Sequence, residues 1–221
     1  MNENLGLIGK KLGNTQVFQE DGEVRRVTAI QVGPCVVLAK RTVEKDGYSA
    51  LQIGFGEKTD KHVRKPQAGA YQKLGVKAPK VVREFRVKPE VLERYQVGQT
   101  IAPAEIFAAG HFVDVSGTSK GRGYTGVMRR HNFRGSKSTT HGNHEYNRHG
   151  GSIGTNMTPG RVLRGVRMAG QHGNTAVTVQ SLKVVQVLAD ESIVLVEGGV
   201  PGPRNGFVTL RYAVKKKPQA V

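Results

Sequence analysis

Alternating apolar and polar positions are concentrated near the two ends of the chain and predict β-strands there. In the first 55 residues, two pairs of such runs each flank an Asp-Gly dipeptide, which is a strong signal for a β-hairpin. The runs are residues 15–19 and 23–32 around Asp21-Gly22, and residues 36–43 and 48–55 around Asp46-Gly47. Four strands joined by tight turns favour an antiparallel barrel or sandwich.

The pattern changes over residues 60–100 and predicts a small α+β insertion. A short helix that begins near Pro66 and a second helix over 89–95 flank an alternating run over 81–87. Strand patterns then resume, and they cover residues 112–119, 175–188, 192–198 and 207–214. The fold class is therefore predicted to be mainly β with a small α+β insertion.

One long segment, residues 116–174, interrupts the strand pattern with glycines and cations and almost no apolar periodicity. We therefore expect residues 1–115 to form the first part of a barrel, with the insertion at about 60–100. Residues 116–174 are expected to form an extended basic, glycine-rich arm. Residues 175–221 then complete the barrel and end in a basic tail at 215–217.

Charge points to a polyanionic partner. Lys and Arg outnumber Asp and Glu by 34 to 17 in the 221 residues, which gives a formal net charge of +17. Within 118–172 there are ten cations and one acid, Glu145, so about half of this charge lies in a quarter of the chain. Nucleic acid is the first candidate partner and an anionic membrane surface is the second. Because its cations repel one another, the segment is expected to order only against something negative.

The composition of this segment favours RNA. Eight of its ten cations are Arg, whose planar fork fits phosphate oxygens in pairs and stacks on bases. Eleven glycines allow a close approach of the backbone to phosphate. Aromatic rings, five histidines and hydroxyls, including those of Thr139 and Thr140, add stacking surfaces and hydrogen-bonding groups for unpaired RNA. A disordered basic linker is the alternative, but a linker does not need the aromatic and histidine content.

Catalytic and metal-binding motifs find little support. His144 and His149 are five residues apart, whereas a zinc-binding helix needs i and i+4, and no cysteine or second carboxylate completes a site. The stretch GTSKGRG (117–123) lacks the spacing of a phosphate-binding loop, and no G-x-S-x-G elbow is present. We expect no metal, no cofactor, no small-molecule substrate and no enzymatic activity.

The cellular location is expected to be the cytoplasm. Cys35 is the single cysteine, so no intrachain disulfide can form, and it lies beside an apolar run where a small buried residue fits. Lys10 and Lys11 interrupt the first apolar stretch, which excludes a signal-peptide pattern there. No run approaches the ~20 apolar residues that span a bilayer, so no membrane-spanning segment is expected. Because the composition of the arm favours RNA as the polyanion, no membrane partner is expected either.

Four stretches of the chain resemble the signature sequences of the bacterial large-subunit ribosomal protein three family. They are GLIGKKLGNTQVF (6–18), DVSGTSKGRGYTGVMRRHNF (114–133), RHGGSIGTNMTPGRVLRGVRMAGQHGN (148–174) and VEGGVPGPRNGFV (196–208). The resemblance runs over nearly the whole chain and is most specific over 116–174. Asn14 stands where relatives usually have Met. Thr155 and Met157 stand in a stretch where some relatives carry glutamines, one of them methylated, so that modification is not carried over.

The resemblance implies a six-stranded β-barrel of the translation-protein type with a long extended loop that penetrates 23S-type rRNA toward the peptidyl-transferase centre. It also implies binding to that rRNA early in assembly of the large ribosomal subunit, beside large-subunit proteins fourteen and nineteen. Carried onto this sequence, the legs of the arm are 118–140 and 155–172, and its tip lies near 146–152.

We predict three kinds of RNA contact within the arm: phosphate binding by cations, base stacking by planar side chains, and close backbone approach at Gly121, Gly123, Gly151 and Gly154. The predicted RNA-binding side chains and backbone sites are Lys120, Arg122, Arg129, Arg130, His131, Phe133, Arg134, Lys137, His141, Arg148, His149, Gly151, Ser152, Arg161, Arg164 and Arg167. His131, Phe133 and His149 are the predicted stacking groups.

Two other classes of function stay open from the residues alone. A metal-dependent RNA-processing enzyme would use the histidines of the arm. A DNA-binding architectural protein would use its charge, although an extended arm that carries aromatic rings favours RNA.

Overall fold

A computed structural model describes residues 5–19, 21–138 and 141–216. The chain divides into two compact units, which we call the barrel unit (residues up to Thr118 and from Ala176 onward) and the arm unit (Ser119–Thr175). The mainly β prediction is confirmed, because strands dominate and the longest described helix has nine residues. None of the described helices is long and apolar enough to cross a membrane.

The barrel unit contains two antiparallel sheets. Its strands are Gly6–Phe18 (β1), Val24–Val32 (β2), Cys35–Arg41 (β3), Ala50–Glu57 (β4), Pro79–Arg86 (β5), Thr100–Ile101 (β6), Phe112–Thr118 (β7), Ala176–Leu188 (β10), Ile193–Glu197 (β11) and Phe207–Tyr212 (β12). Its helices are Val43–Asp46 (α1), Lys65–Lys73 (α2), Pro89–Arg94 (α3) and Pro103–Ile106 (α4), with a 3₁₀ turn at Asp60–His62. Most of these strands and the two longer helices, α2 and α3, fall close to predicted positions. Strand β1 begins well before the predicted run 15–19, and the two-residue strand β6 was not predicted.

The first sheet is a ring of six hydrogen-bonded strands. Its order is β1-β12-β7-β10-β11-β2, and β2 pairs again with β1. The β1–β2 hairpin forms as predicted, since Phe18 pairs with Val24 and Gly22 turns with a φ of +81°. Ile8, Ile30 and Leu210 on three of these strands are fully buried. Burial of each such side chain contributes about 1.5–3 kcal/mol.

The second sheet corrects one sequence-based prediction. Strands β3 and β4 do form an antiparallel pair, but they join β5 and β6 in the order β5-β4-β3-β6 rather than the six-stranded ring. The connection between them is also longer than a tight turn, because helix α1 precedes Gly47. An Asp-Gly signal predicts that two strands pair, but it carries no information about which sheet they enter. Leu51, Ile53 and Phe85 of this sheet belong to the same buried cluster as the ring.

A buried carboxylate stabilises an irregular part of β10. The register between β10 and β7 shifts between Val179 and Leu182, and Ser181 within this shift has a φ of +58°. Asp114 is 7% exposed, and its two carboxylate oxygens accept the backbone N–H groups of Ser181 at 2.8 Å and Val214 at 3.1 Å. The carboxylate therefore satisfies two backbone donors that the strand ladder leaves unpaired.

Cys35 is fully buried, as its apolar surroundings predict. Its Sγ donates to the carbonyl oxygen of Ile8 at 3.4 Å. Burial in this apolar environment raises the pKa of the thiol to about 11, because the thiolate loses its hydration. The side chain therefore acts as a small hydrophobic residue near neutral pH.

The arm unit has little regular structure and no described apolar core. Its elements are Tyr124–Thr125 (β8), Val127–His131 (α5), Gly170–Gln171 (β9) and a 3₁₀ turn at Asn143–Glu145. Among its described residues only Thr125 is buried, while Met157 is 87% and Leu163 is 59% exposed. This exposure agrees with the near absence of apolar periodicity in the sequence of the segment. The two-residue strands and α5 were not predicted, because such short elements show no periodicity.

Candidate nucleic-acid interface

All sixteen predicted RNA-binding residues lie in the arm unit, and none of them is buried. Thirteen are exposed, whereas Arg130, His131 and Phe133 are half-buried. Thr139 and Thr140, which the sequence suggests as hydroxyl donors, lie outside the described residues, as does Lys217 of the basic tail. The unit therefore presents nearly the whole predicted set to solvent.

Backbone hydrogen bonds hold the two ends of the arm unit side by side. Ser119 N–H donates to the carbonyl of Thr175 at 2.9 Å, and Arg122 N–H donates to that of His172 at 2.8 Å. His172 N–H returns a bond to the carbonyl of Gly123 at 3.0 Å, and β8 pairs with β9 next to this ladder. The close approach of these two backbone segments requires glycine at position 173, because Gly173 has a φ of +72° and an added Cβ would overlap the carbonyl of Lys120. Sequence reasoning missed this position, since nothing local distinguishes it from the other glycines.

Two predicted RNA contacts also hold the unit together. The Arg130 guanidinium donates from Nη1 to the carbonyl oxygen of Met168 at 2.6 Å, and Nε2 of His131 lies 3.1 Å from the same oxygen. The guanidinium also lies against Gly170, where an added Cβ would be 2.7 Å from Nη1. Helix α5 is therefore bound to the segment that precedes β9 through Arg130 and His131, two side chains for which the sequence predicted only RNA contacts.

The other nine cations of the arm unit have no carboxylate partner within the described residues. They are Lys120, Arg122, Arg129, Arg134, Lys137, Arg148, Arg161, Arg164 and Arg167, and all of them are exposed. The described salt bridges lie in the barrel unit, where Arg25 pairs with Glu23 and Arg41 pairs with Asp46 and Glu84. Glu145 is the single acid of the arm unit. The positive potential of the unit is therefore left largely uncompensated, and such a potential attracts an anionic polymer.

A cavity of about 600 Å³ lies at the predicted tip of the arm unit. Its lining combines three ring side chains, one guanidinium, one hydroxyl and three glycines. The lining residues are Phe133, Arg134, Gly135, Ser136, Tyr146, His149, Gly150 and Gly151. Tyr146 is one of the aromatic rings that the sequence offers for stacking, although it is not among the sixteen predicted RNA-binding residues, and it joins Phe133 and His149 here. The hydroxyl of nearby Ser152, in contrast, donates to the carbonyl of Gly154 at 3.0 Å.

The barrel unit has a larger cavity, of about 810 Å³, that contains none of the predicted site residues. Lys10, Lys80 and Phe207 are among its lining residues, and the Lys80 ammonium lies 5.6 Å from the centre of the Phe207 ring. The described residues include no group of three or more His, Cys, Asp or Glu side chains arranged to hold a metal ion.

Comparison with known proteins identifies the family. The family model described as Ribosomal protein L3 matches residues 71–192, which is more than half of the chain. The chain is 53% identical to "Large ribosomal subunit protein uL3" of Sorangium cellulosum, over 98% of this chain and 93% of the relative. It is 49% identical to the protein of that name from Myxococcus xanthus, over 95% and 93% of the two chains, and 47% identical to the one from Corynebacterium diphtheriae, over 95% and 94%. The resemblance seen in the sequence is thereby confirmed, and the chain belongs to the ribosomal protein L3 family, a family of structural proteins rather than enzymes.

Proposed function

We propose that this protein is a structural constituent of the bacterial large ribosomal subunit and that it binds 23S-type rRNA directly through the arm unit. The observation that carries the proposal is the set of nine exposed cations that have no carboxylate partner among the residues the structure describes, in a unit with one described buried residue. A segment of this kind gains order and loses self-repulsion when phosphates surround it. The names of its relatives support the same assignment.

The arm acts as a counter-charge between RNA segments in this proposal. Its Arg side chains bind phosphates where two rRNA strands approach each other, and its glycines let the backbone follow the RNA surface closely. Residues 118–140 and 155–172 are the two legs, and the tip lies near 146–152. The six-stranded ring corresponds to a translation-protein-type barrel and supplies a rigid base.

The resemblance to the family supports a proposed position of the protein within the subunit. The arm reaches toward the peptidyl-transferase centre and supports the RNA there, so any effect on peptide-bond formation is indirect. The protein binds rRNA early in subunit assembly, in the cytoplasm, and neighbours large-subunit proteins fourteen and nineteen. No side chain carries out chemistry, and no cofactor takes part.

Sedimentation tests the proposal. The tagged full-length protein, expressed in a bacterium, is expected to sediment with the large subunit at moderate salt and to leave it only at high salt. Deletion of residues 140–156 should leave a folded barrel and a defect in large-subunit maturation. The proposal is contradicted if the full-length protein stays at the top of the gradient. It is also contradicted if cells that contain only the deletion variant make normal ribosomes.

Competition between nucleic acids tests the choice of RNA. A folded fragment of 23S-type rRNA should displace a labelled rRNA from the protein at much lower concentration than duplex DNA of equal phosphate content. Equal displacement by the two polymers would favour an architectural DNA-binding protein, because charge alone would then explain the affinity.

A further inference from the structure

The cavity at the tip of the arm unit has features that simple phosphate binding does not require. At about 600 Å³ it falls within the ~300–1,000 Å³ range of pockets that bind organic ligands. Phe133, Tyr146 and His149 contribute rings to its lining, and Tyr146 is 57% exposed. Exposed aromatic rings around a concave site offer stacking surfaces for a planar group.

Two consecutive turns place the rings of Tyr146 and His149 at the cavity. Tyr146 N–H donates to the carbonyl of Asn143, and His149 N–H donates to that of Tyr146, both at 3.1 Å. The rings of Tyr146 and His149 then meet edge to face, with centroids 5.3 Å apart and planes at 84°. In such a pair, the ring that contributes its edge keeps both faces clear of its partner. A planar ligand can therefore stack without breaking the pair.

Glycines bring the two walls of the cavity together. Gly135 has a φ of +74°, and a Cβ there would overlap the carbonyl oxygen of Asn147, so only glycine allows this approach of backbone to backbone. A Cβ on Gly150 would lie 3.5 Å from the Val127 side chain and 3.8 Å from the Phe133 ring. The segments 133–136 and 146–151 therefore approach each other closely and together line the cavity.

Charge selects the occupant. Arg134 belongs to the lining and the exposed Arg148 lies between Tyr146 and His149 in the sequence, whereas no carboxylate lines the cavity. A suitable ligand is therefore planar and apolar in one part and anionic in another. An unpaired nucleotide has both properties, because its base has a π-face and its phosphates are negative. A base within a duplex is excluded, since its faces are already stacked.

We propose that this cavity binds one unpaired base of RNA, stacked on Tyr146 or His149, with the adjoining phosphate next to Arg134. The proposal rests on the proposed RNA-binding function of the arm unit and assigns its tip a distinct task. The cations of the legs bind phosphates of any sequence, whereas the tip requires an RNA nucleotide that has left its helix. The arm thereby recognises RNA shape as well as RNA charge.

The experiment compares two RNA probes by fluorescence anisotropy over a series of salt concentrations. One probe is a fluorescein-labelled 12-nucleotide single strand without self-complementarity, and the other is a blunt duplex with the same number of phosphates. Tyr146→Ala and His149→Ala are compared with Tyr146→Phe and with Tyr124→Ala. Tyr124 is a matched control because it is 81% exposed in the same unit and does not line the cavity.

Tyr146→Ala is expected to weaken binding of the single strand about 5- to 150-fold, the range found when one stacking ring is removed. The salt slope should stay as in the original protein, because no cation is lost. Tyr146→Phe should keep most of the affinity, and binding of the duplex and binding by Tyr124→Ala should not change. This pattern separates stacking from a general loss of structure, which would reduce the binding of both probes.

Two results overturn the base pocket and leave the proposed function standing. One is unchanged binding of the single strand by Tyr146→Ala and by His149→Ala. The other is a loss of affinity of equal size when these variants bind the duplex, or when Tyr124→Ala binds the single strand. Failure of the original protein to bind 23S-type rRNA at low salt would instead contradict the proposed function itself.

Discussion

Removal of one exposed cation of the arm unit should change the salt dependence of rRNA binding by a defined amount. Arg164 is exposed and has no carboxylate partner within the described residues. Each phosphate contact contributes about 0.7 (single strand) to 0.9 (duplex) to the slope of log affinity against log salt. Full engagement of the nine exposed cations therefore predicts a slope of about −6 to −8. Arg164→Ala should make this slope shallower by about 0.7–0.9 and weaken binding at every salt concentration.

Filter binding of the full-length protein to 23S-type rRNA between about 50 and 400 mM KCl covers the range in which such slopes are resolved. Arg25→Ala is the matched control, because it removes the same charge from a guanidinium that already pairs with Glu23 at 2.9 Å in the barrel unit. Its slope should equal that of the original protein. If Arg164→Ala leaves the slope unchanged, or if Arg25→Ala changes it equally, the assignment of RNA binding to the exposed cations of the arm is wrong.

Arg130 gives a second comparison within this experiment. Its guanidinium donates to the carbonyl oxygen of Met168 and is half-buried, so it holds the arm unit together. Arg130→Ala should therefore weaken RNA binding mainly because the bound conformation becomes harder to form. The slope should change less than for Arg164→Ala, although both variants lose one charge. A full loss of 0.7–0.9 in the slope would show that Arg130 contacts phosphate as well.

Three predictions concern the barrel unit. Gly6→Ala should lower the free energy of unfolding by about 1–3 kcal/mol in urea titrations, because the added Cβ would lie 2.5 Å from a backbone carbonyl of β12. Gly13→Ala is the control and should have little effect, because its added Cβ would meet no atom within 4 Å. Asp114→Ala should cost about 2–4 kcal/mol in the same assay, because the N–H of Ser181 and a second backbone donor lose their acceptor; an unchanged midpoint would contradict the role of this carboxylate. Cys35 should resist iodoacetamide at pH 8 until urea unfolds the chain, and stability should fall between about pH 9 and 11, where the unfolded thiol ionises and the folded thiol, with its pKa raised to about 11, does not. Cys35→Ala should lose less stability over that pH range, and rapid labelling of the folded protein would contradict the burial.

The sequence predicts local structure better than sheet membership. The Asp21-Gly22 turn correctly predicts the β1–β2 hairpin, because turn residues and flanking alternation are both local signals. The same signal at Gly47 predicts the β3–β4 pair but not its place in the second sheet, which depends on distant partners in β5 and β6. The short β8–β9 pair gives no periodic signal at all.

The site shows a similar limit. Charge and glycine content indicate which segment binds RNA, because these are properties of composition. Composition cannot distinguish Arg130, which binds the Met168 carbonyl, from the exposed Arg129 next to it. Nor can it select Gly173 among the glycines of the segment, or place Tyr146 beside His149, since both depend on which parts of the chain fold together.

The lack of a described apolar core in the arm unit has a thermodynamic consequence. Its hydrogen bonds, such as that from Arg122 N–H to the carbonyl of His172, join exposed or half-buried residues, and Thr125 is the one described residue that is buried. Local opening costs little where few apolar contacts are lost. The barrel unit, with its shared cluster of fully buried side chains, should open only in global unfolding.

Hydrogen–deuterium exchange of the free protein and of its complex with 23S-type rRNA tests the central claim most directly. In the free protein, amides of 119–138 and 141–175 should exchange rapidly while those of β1, β2, β7 and β12 stay protected. Binding of rRNA should slow exchange across the arm unit and leave the barrel unit nearly unchanged. An arm unit that is as well protected as the barrel without RNA, or one whose exchange rRNA does not slow, would contradict the account.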